Sequence, residues 1–176
     1  MKLPLFGKAH EATAGPDFVW FVYGSSLDGE AFAAWAHEHG YAAPSFEGAR
    51  RVRLVGYRLA FDVLSRAWGG AVANLARSPG DVVEGIALPM PGPSRGLADH
   101  REGAVSGLYE AFEVELSPVD GGPHVPAIAY RATNSRRLAS DAPPSPAYLE
   151  VLLRGARARG LSDEWIRRLE ALAPKR

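Results

Sequence analysis

Phe18 to Tyr23 is an unbroken apolar, β-favouring run, as a strand covered on both faces requires. Gly24-Ser25-Ser26 interrupts it. Asp28 follows, and then Ala31, Phe32, Trp35 and Ala36 recur at spacings that share one side of a helix. The stretch reads as strand, tight turn, helix N-terminus. From Val52 to Val63 two alternating runs meet, with Val52 and Leu54 at even positions and Tyr57, Leu59, Phe61 and Val63 at odd ones. The parity flips across Val55-Gly56, which predicts a bulge or sharp bend eased by glycine. Ala71–Arg77 and Val82–Met90 flank Ser78-Pro79-Gly80-Asp81, a turn signal that predicts a hairpin or short loop. Leu108, Phe112, Val114 and Leu116 alternate with Glu113 and Glu115, so that strand has one wet face. Pro118–Pro123 is a turn-rich break and Val125–Ala132 a return strand.

The last third changes period. Ser145 is placed to cap a helix with Pro146 at its first position. Leu149, Leu152, Leu153 and Ala156 form its apolar stripe, and Gly160 stops it. Ser162 opens a second helix, whose first-turn Asp163 and Glu164 suit the dipole and whose buried stripe is Trp165, Ile166, Leu169 and Leu172. Residues 1–16 lack periodicity and read as a tail or leading loop. Residues 17–176 then form one α+β domain: many short, mostly antiparallel strands in a curled sheet or small barrel, with packed helices.

Composition narrows the class. The chain has 176 residues, 47% of them hydrophobic, enough for a real core. Twenty Lys+Arg balance twenty Asp+Glu, which argues against a nucleic-acid partner, since that needs a basic face. There is no cysteine, hence no disulfide, thiolate metal site or cysteine nucleophile. The first residues do not read as a signal peptide, and no apolar run reaches the ~20 residues that span a bilayer. The expectation is a soluble, cytoplasmic domain without a membrane partner.

Few motifs suggest chemistry. His37-Glu38-His39 invites a metal, but on a helix positions i and i+2 point about 200° apart, so the rings cannot share one ion. No metal is expected. Ser25 and Ser26 lack the flanking glycines of a nucleophile elbow. The turn Tyr23-Gly24-Ser25-Ser26 is a better candidate. Glycine lets the backbone approach a ligand, and the helix N-terminus that follows offers unpaired N–H groups to a carboxylate or oxyanion. The second candidate is Leu97-Ala98-Asp99-His100-Arg101-Glu102-Gly103. There Asp99 and Glu102 sit three apart, just before a strand carrying Tyr109.

In order along the chain, these features resemble the gamma-glutamylcyclotransferase family. Tyr23-Gly24-Ser25-Ser26-Leu27 is close to the family's Tyr-Gly-Ser-Asn-Leu. Ser78-Pro79-Gly80-Asp81 follows, with Val83 and Gly85. The third motif is Asp99-x-x-Glu102-Gly103-x-x-x-Gly107-x-Tyr109. The fourth is Ala142-Pro143-Pro144-Ser145-Pro146-x-Tyr148, with Gly155-Ala156 and Gly160-Leu161 after it. The resemblance spans roughly residues 18 to 173. It implies a mixed fold round a small β-barrel and release of an amino acid or amine from a γ-glutamyl compound as 5-oxoproline forms. The nucleophile is then the substrate's own α-amine, and no cofactor is implied. By position, Glu102 is the implied general base and acid, with a carboxyl raised towards neutrality by burial. Gly24, Ser25 and Ser26 would hold glutamyl oxygens, and Tyr23, Tyr109 and Tyr148 would line the pocket. Ser26 departs from the family's asparagine, and Ala98 stands where leucine is common. The resemblance is compatible with a homodimer. Two other readings share the fold: a non-catalytic binding module, and an enzyme that removes a γ-glutamyl protecting group within one pathway.

Overall fold

In the computed structural model, which describes residues 17–174, the apolar run becomes β1 (Phe18–Val22). It lies between two strands, with Trp20, Phe21 and Val22 fully buried. The other strands are β2 (Arg50–Ser65), β3 (Gly70–Met90), β4 (Tyr109–Pro118) and β5 (Val125–Ala132). They close a barrel in the order β1-β3-β2-β4-β5. Neighbours pair antiparallel except β1 and β5, which meet in parallel at Trp20 and Ile128. The expected tail, residues 1–16, lies outside the described residues.

The barrel has few strands, and two are long. β2 and β3 run 16 and 21 residues, where many short strands were expected. The predicted break at Ser78–Asp81 is not a hairpin, because β3 runs through it. Both halves of β3 pair with β2, so they cannot pair with each other. The extra residues swell out as a bulge: Val55 faces Val82, and Tyr57 already faces Arg77. The Ser78 hydroxyl donates to the Asp81 carboxylate across its base. Gly56 (φ 84°) and Gly80 (φ 90°) supply the left-handed backbone on the two strands. The parity flip at Gly56 thus marks a bend, as the pattern indicates.

A second bulge matters more for the site. Between Ala60 and Val63 the β2–β3 register slips, leaving Ala73 of β3 without a partner residue on β2. Ala73 therefore has backbone groups to offer elsewhere. The bulge also turns Asp62 inward, where it is 2% exposed. Its carboxylate accepts from Asn74 Nδ2 (2.8 Å) and Arg137 Nε (2.7 Å), and Asn74 Oδ1 accepts from the Ala132 N–H (2.7 Å). A buried charge needs this many partners.

Four α-helices pack outside the sheet: α1 (Gly29–Glu38), α2 (Arg95–Arg101), α3 (Pro146–Ala158) and α4 (Asp163–Glu170). Ser145 and Ser162 cap α3 and α4 as their sequences indicate, accepting from Tyr148 N (3.2 Å) and Trp165 N (3.1 Å). Among the described residues no helix is long and apolar enough to cross a membrane.

Candidate functional site

One end of β1 delivers Tyr23 and then a tight turn, but not directly into α1 as the sequence suggests. A 3-10 turn, Ser25–Leu27, intervenes. α1 starts after Asp28, whose own carboxylate takes the first helical N–H groups, from Glu30 (3.0 Å) and Ala31 (3.3 Å). The dipole end of α1 is thus already capped by the chain itself. What the turn offers is local. Leu27 and Asp28 use their N–H groups within it, to Gly24 O (3.0 Å) and Ser25 O (3.2 Å). The Ser25 N–H faces the Tyr148 hydroxyl oxygen, and that of Ser26 precedes the first turn bond and is the donor left for a ligand.

α3 holds this turn from behind. A Cβ on Gly155 would sit 2.5 Å from Asp28 N and 2.7 Å from Leu27 C, so the helix rests on bare backbone. Arg154 pairs with the Asp28 carboxylate (2.5 Å) and Arg159 Nε donates to Leu27 O (3.0 Å). The Gly155-Ala156 step thereby has a mechanical reason.

α2 delivers the carboxylate. Glu102 is its C-cap, and Gly103 (φ 74°) follows in the left-handed region. The Gly103 N–H donates to His100 O (3.1 Å) and the Ala104 N–H to Asp99 O (2.8 Å), the paired bonds of a Schellman stop. The Glu-Gly pair is therefore a helix terminus that fixes where the glutamate points. Asp99 points elsewhere: it accepts from Arg95 Nε (3.0 Å) and from the Tyr130 hydroxyl (2.6 Å), tying α2 to β5. The two acids do not form a catalytic pair.

The cavity between turn and helix measures about 170 Å³. Tyr23, Gly24, Ser25, Ser26, Glu102, Tyr109 and Tyr148 all line it. Ser65, Trp68, Val72, Ala73, His100, Arg101, Gly103 and Leu108 complete the wall. The tyrosines differ in what they can still do. Tyr23 donates to Tyr130 O and Tyr109 to Ala73 O, both at 2.7 Å. Tyr148 accepts from the Ala73 N–H (3.1 Å), which leaves its own proton to give. The β2–β3 bulge thus frees both polar groups of Ala73, and two pocket tyrosines take them. Burial holds all three phenols above their ordinary range, Tyr148 at about 12, so they remain neutral donors or acceptors.

Glu102 is half-buried, with enough protein around its carboxyl to push it from 4.5 up to about 7. Desolvation is the dominant cause; the Arg101 charge and a hydrogen bond from Ser26 Oγ (3.4 Å) oppose it. A group held there is able both to accept and to return a proton at neutral pH. Removing the Ser26 hydroxyl takes away one of the two opposing influences. In Ser26→Ala the Glu102 carboxyl is expected to titrate at higher pH than in the parent, followed by carbon-detected NMR. An unchanged or lower midpoint would show that the hydroxyl does not support the ionised form.

Arg101 is the residue that sequence patterning missed. It lies next to Glu102, but neighbouring residues on a helix diverge by about 100°, so only the terminal geometry shows that both reach the cavity. His37 and His39 are exposed, and among the described residues no cluster suited to a metal ion exists.

Comparison with known proteins follows the same outline. The AIG2-like family model matches residues 82–169. Gamma-glutamylcyclotransferase of Mus musculus is 32% identical over 171 residues, spanning 95% of this chain and 85% of the relative. Its Homo sapiens counterpart is 33% identical over 167 residues, spanning 91% and 82%. A solved gamma-glutamyl cyclotransferase superposes with a TM-score of 0.74 at 28% identity, covering 90% of this chain and 89% of the other.

Proposed function

The chain belongs to the AIG2-like, gamma-glutamylcyclotransferase family, and from that premise we propose that it cyclises γ-glutamyl compounds to 5-oxoproline with release of an amino acid or amine. The observation that carries the reading is Glu102. Its carboxyl, held near neutrality, lies in one cavity with the Ser25–Ser26 turn.

Glu102 takes a proton from the substrate's α-ammonium. The freed amine attacks the γ-carbonyl carbon, a C–N bond forms, and the carbonyl electrons move onto oxygen. The Ser26 N–H receives that oxyanion, beside the Ser25 N–H that meets the Tyr148 hydroxyl. Collapse expels the leaving nitrogen, and protonated Glu102 returns its proton there. Overall, two of the three protons on the α-nitrogen end on the leaving nitrogen, which departs as an ammonium ion. The third remains on the lactam. Attack within one molecule needs the glutamyl chain bent, and a cavity that favours this rotamer adds to the effective concentration. The Tyr148 hydroxyl, with its proton unspent, is placed to hold the bent chain.

The test is a panel of γ-glutamyl-alanine, other γ-glutamyl amino acids, γ-glutamyl amines and glutathione, followed by mass spectrometry for 5-oxoproline. Formation from at least one member is expected, with the free amine in equal amount. Saturable binding without product across the panel would instead make the pocket a binding module.

A further inference from the structure

Arg101 is the one described arginine that lines this cavity. Ten ion pairs are found among the described residues, and Arg101 belongs to none of them. Yet it is largely enclosed, and desolvation lowers its affinity for its proton. Its guanidinium carbon lies 5.2 Å from the Trp35 ring centre and 5.4 Å from that of Phe32. These π-faces hold the cation but do not neutralise it. Nε donates to Ser26 Oγ (3.1 Å) and Nη2 to Ser25 Oγ (3.3 Å). Two neutral hydroxyls are weak partners for a fork with five donors. The one carboxylate that acts on it is Glu102, with which it makes no direct ion pair; once Glu102 faces a ligand's ammonium, the guanidinium is left to an anionic group of that ligand.

The position of the charge narrows the choice. Ser26 Oγ accepts from Arg101 on one side and donates to Glu102 Oε1 at 3.4 Å on the other. The cavity therefore presents a carboxylate and a guanidinium one hydroxyl apart. A γ-glutamyl compound carries the complement, an α-ammonium and an α-carboxylate on one carbon. Resting on the cyclotransferase reading, we propose that Arg101 binds the α-carboxylate of the γ-glutamyl donor. With the ammonium set against Glu102, that leaves the Ser26 N–H for the γ-carbonyl oxygen. The enzyme then requires a free α-carboxylate and is indifferent to charge on the leaving amine. Ser26, where the family has asparagine, is short enough to admit the guanidinium beside it.

The experiment crosses enzyme with substrate. Wild type, Arg101→Met and Arg101→Lys are assayed on γ-glutamyl-alanine, on γ-glutamyl-ethylamide, and on a γ-glutamyl-ethylamide whose α-carboxylate is a carboxamide. The carboxamide alters the amine's basicity, so the comparison uses ratios between enzymes rather than absolute rates. Arg101→Met is expected to lose roughly tenfold to a hundredfold in kcat/KM on both carboxylate substrates, chiefly through KM, as befits one charged hydrogen-bonding partner. It should lose little on the carboxamide, and Arg101→Lys should recover part of the activity. In parallel, NMR titration with 5-oxoproline and its carboxamide measures the same preference without turnover. Wild type should favour the acid, and Arg101→Met should not. An equal loss on the carboxamide would reduce Arg101 to a support for the turn, and a loss confined to γ-glutamyl-alanine would place it on the leaving group. Either overturns the proposal. Arg101-dependent preference for 5-oxoproline in a protein that turns over nothing would sink the cyclotransferase reading and keep this one. Turnover with no such preference would do the reverse.

Discussion

Glu102→Gln is expected to lower 5-oxoproline formation by a factor on the order of 10²–10⁴, the usual contribution of a positioned acid–base group. Glutamine keeps the shape and can still meet the Ser26 hydroxyl, but it neither takes a proton from the α-ammonium nor returns one. Substrate binding should change less than turnover. In wild type the rate should rise with pH as the carboxyl ionises, with a midpoint near 7. Turnover retained in Glu102→Gln would remove Glu102 from its role. The same carboxyl predicts an opposite effect on stability. Its native value, about 7, lies above the ordinary 4.5. Below pH 4.5 both folded and unfolded chains hold the proton, and nothing is lost. Between 4.5 and 7 the folded protein keeps a proton that the unfolded chain releases, so stability falls as pH rises. Above 7 the fold carries a desolvated charge at a cost of up to about 3 kcal/mol. Glu102→Gln lacks that charge, so it should melt higher than wild type at pH 8 and like it near pH 4. A variant that melts lower at pH 8 would show that the ionised carboxylate stabilises the fold.

Gly155→Ala is expected to impair activity from outside the cavity. Its added methyl would lie 2.5 Å from Asp28 N, 2.7 Å from Leu27 C and 2.8 Å from Leu27 Cβ. Two of these neighbours are backbone, so no side chain can swing aside. Either α3 lifts off or the turn moves, and overpacking of this kind costs about 1–3 kcal/mol or more. Moving the turn carries Ser25 and Ser26 with it, and a shift near 1 Å at reacting groups costs on the order of a hundredfold in rate. The expected result is a lower melting temperature together with a fall in kcat, even at temperatures where the variant is fully folded. Wild-type activity in a folded Gly155→Ala protein would show that the turn tolerates displacement.

What the chain states locally, it states well. The buried run at Phe18, the bend at Gly56, the return strand at Val125, and the caps at Ser145 and Ser162 are each set by a few adjacent residues. Periodicity and capping act over that range, and so these features are legible in one sequence. The site motifs are legible for a related reason, since each is also a local device. Glu102-Gly103 is a helix stop, Ser145-Pro146 a helix start, and Gly155 a bare patch on a helix.

The sequence alone therefore determined the type of most elements and the helix caps and, through the family resemblance, pointed to Glu102 for acid–base chemistry. The tertiary structure decided partnership. Ser78–Asp81 became a bulge because both flanking segments found β2, the later one at partners 27 to 37 positions away. Ala73 lost its place opposite β2 and gave its backbone to Tyr109 and Tyr148, on β4 and α3. Asp28 capped α1 itself, so it is the short turn and not the helix end that faces the cavity. Arg101 and Glu102, adjacent in the chain, meet the same hydroxyl only because α2 ends there. Propensities act between neighbours, whereas desolvation and the balance of nearby charges depend on everything folded around a group, and no local pattern encodes that.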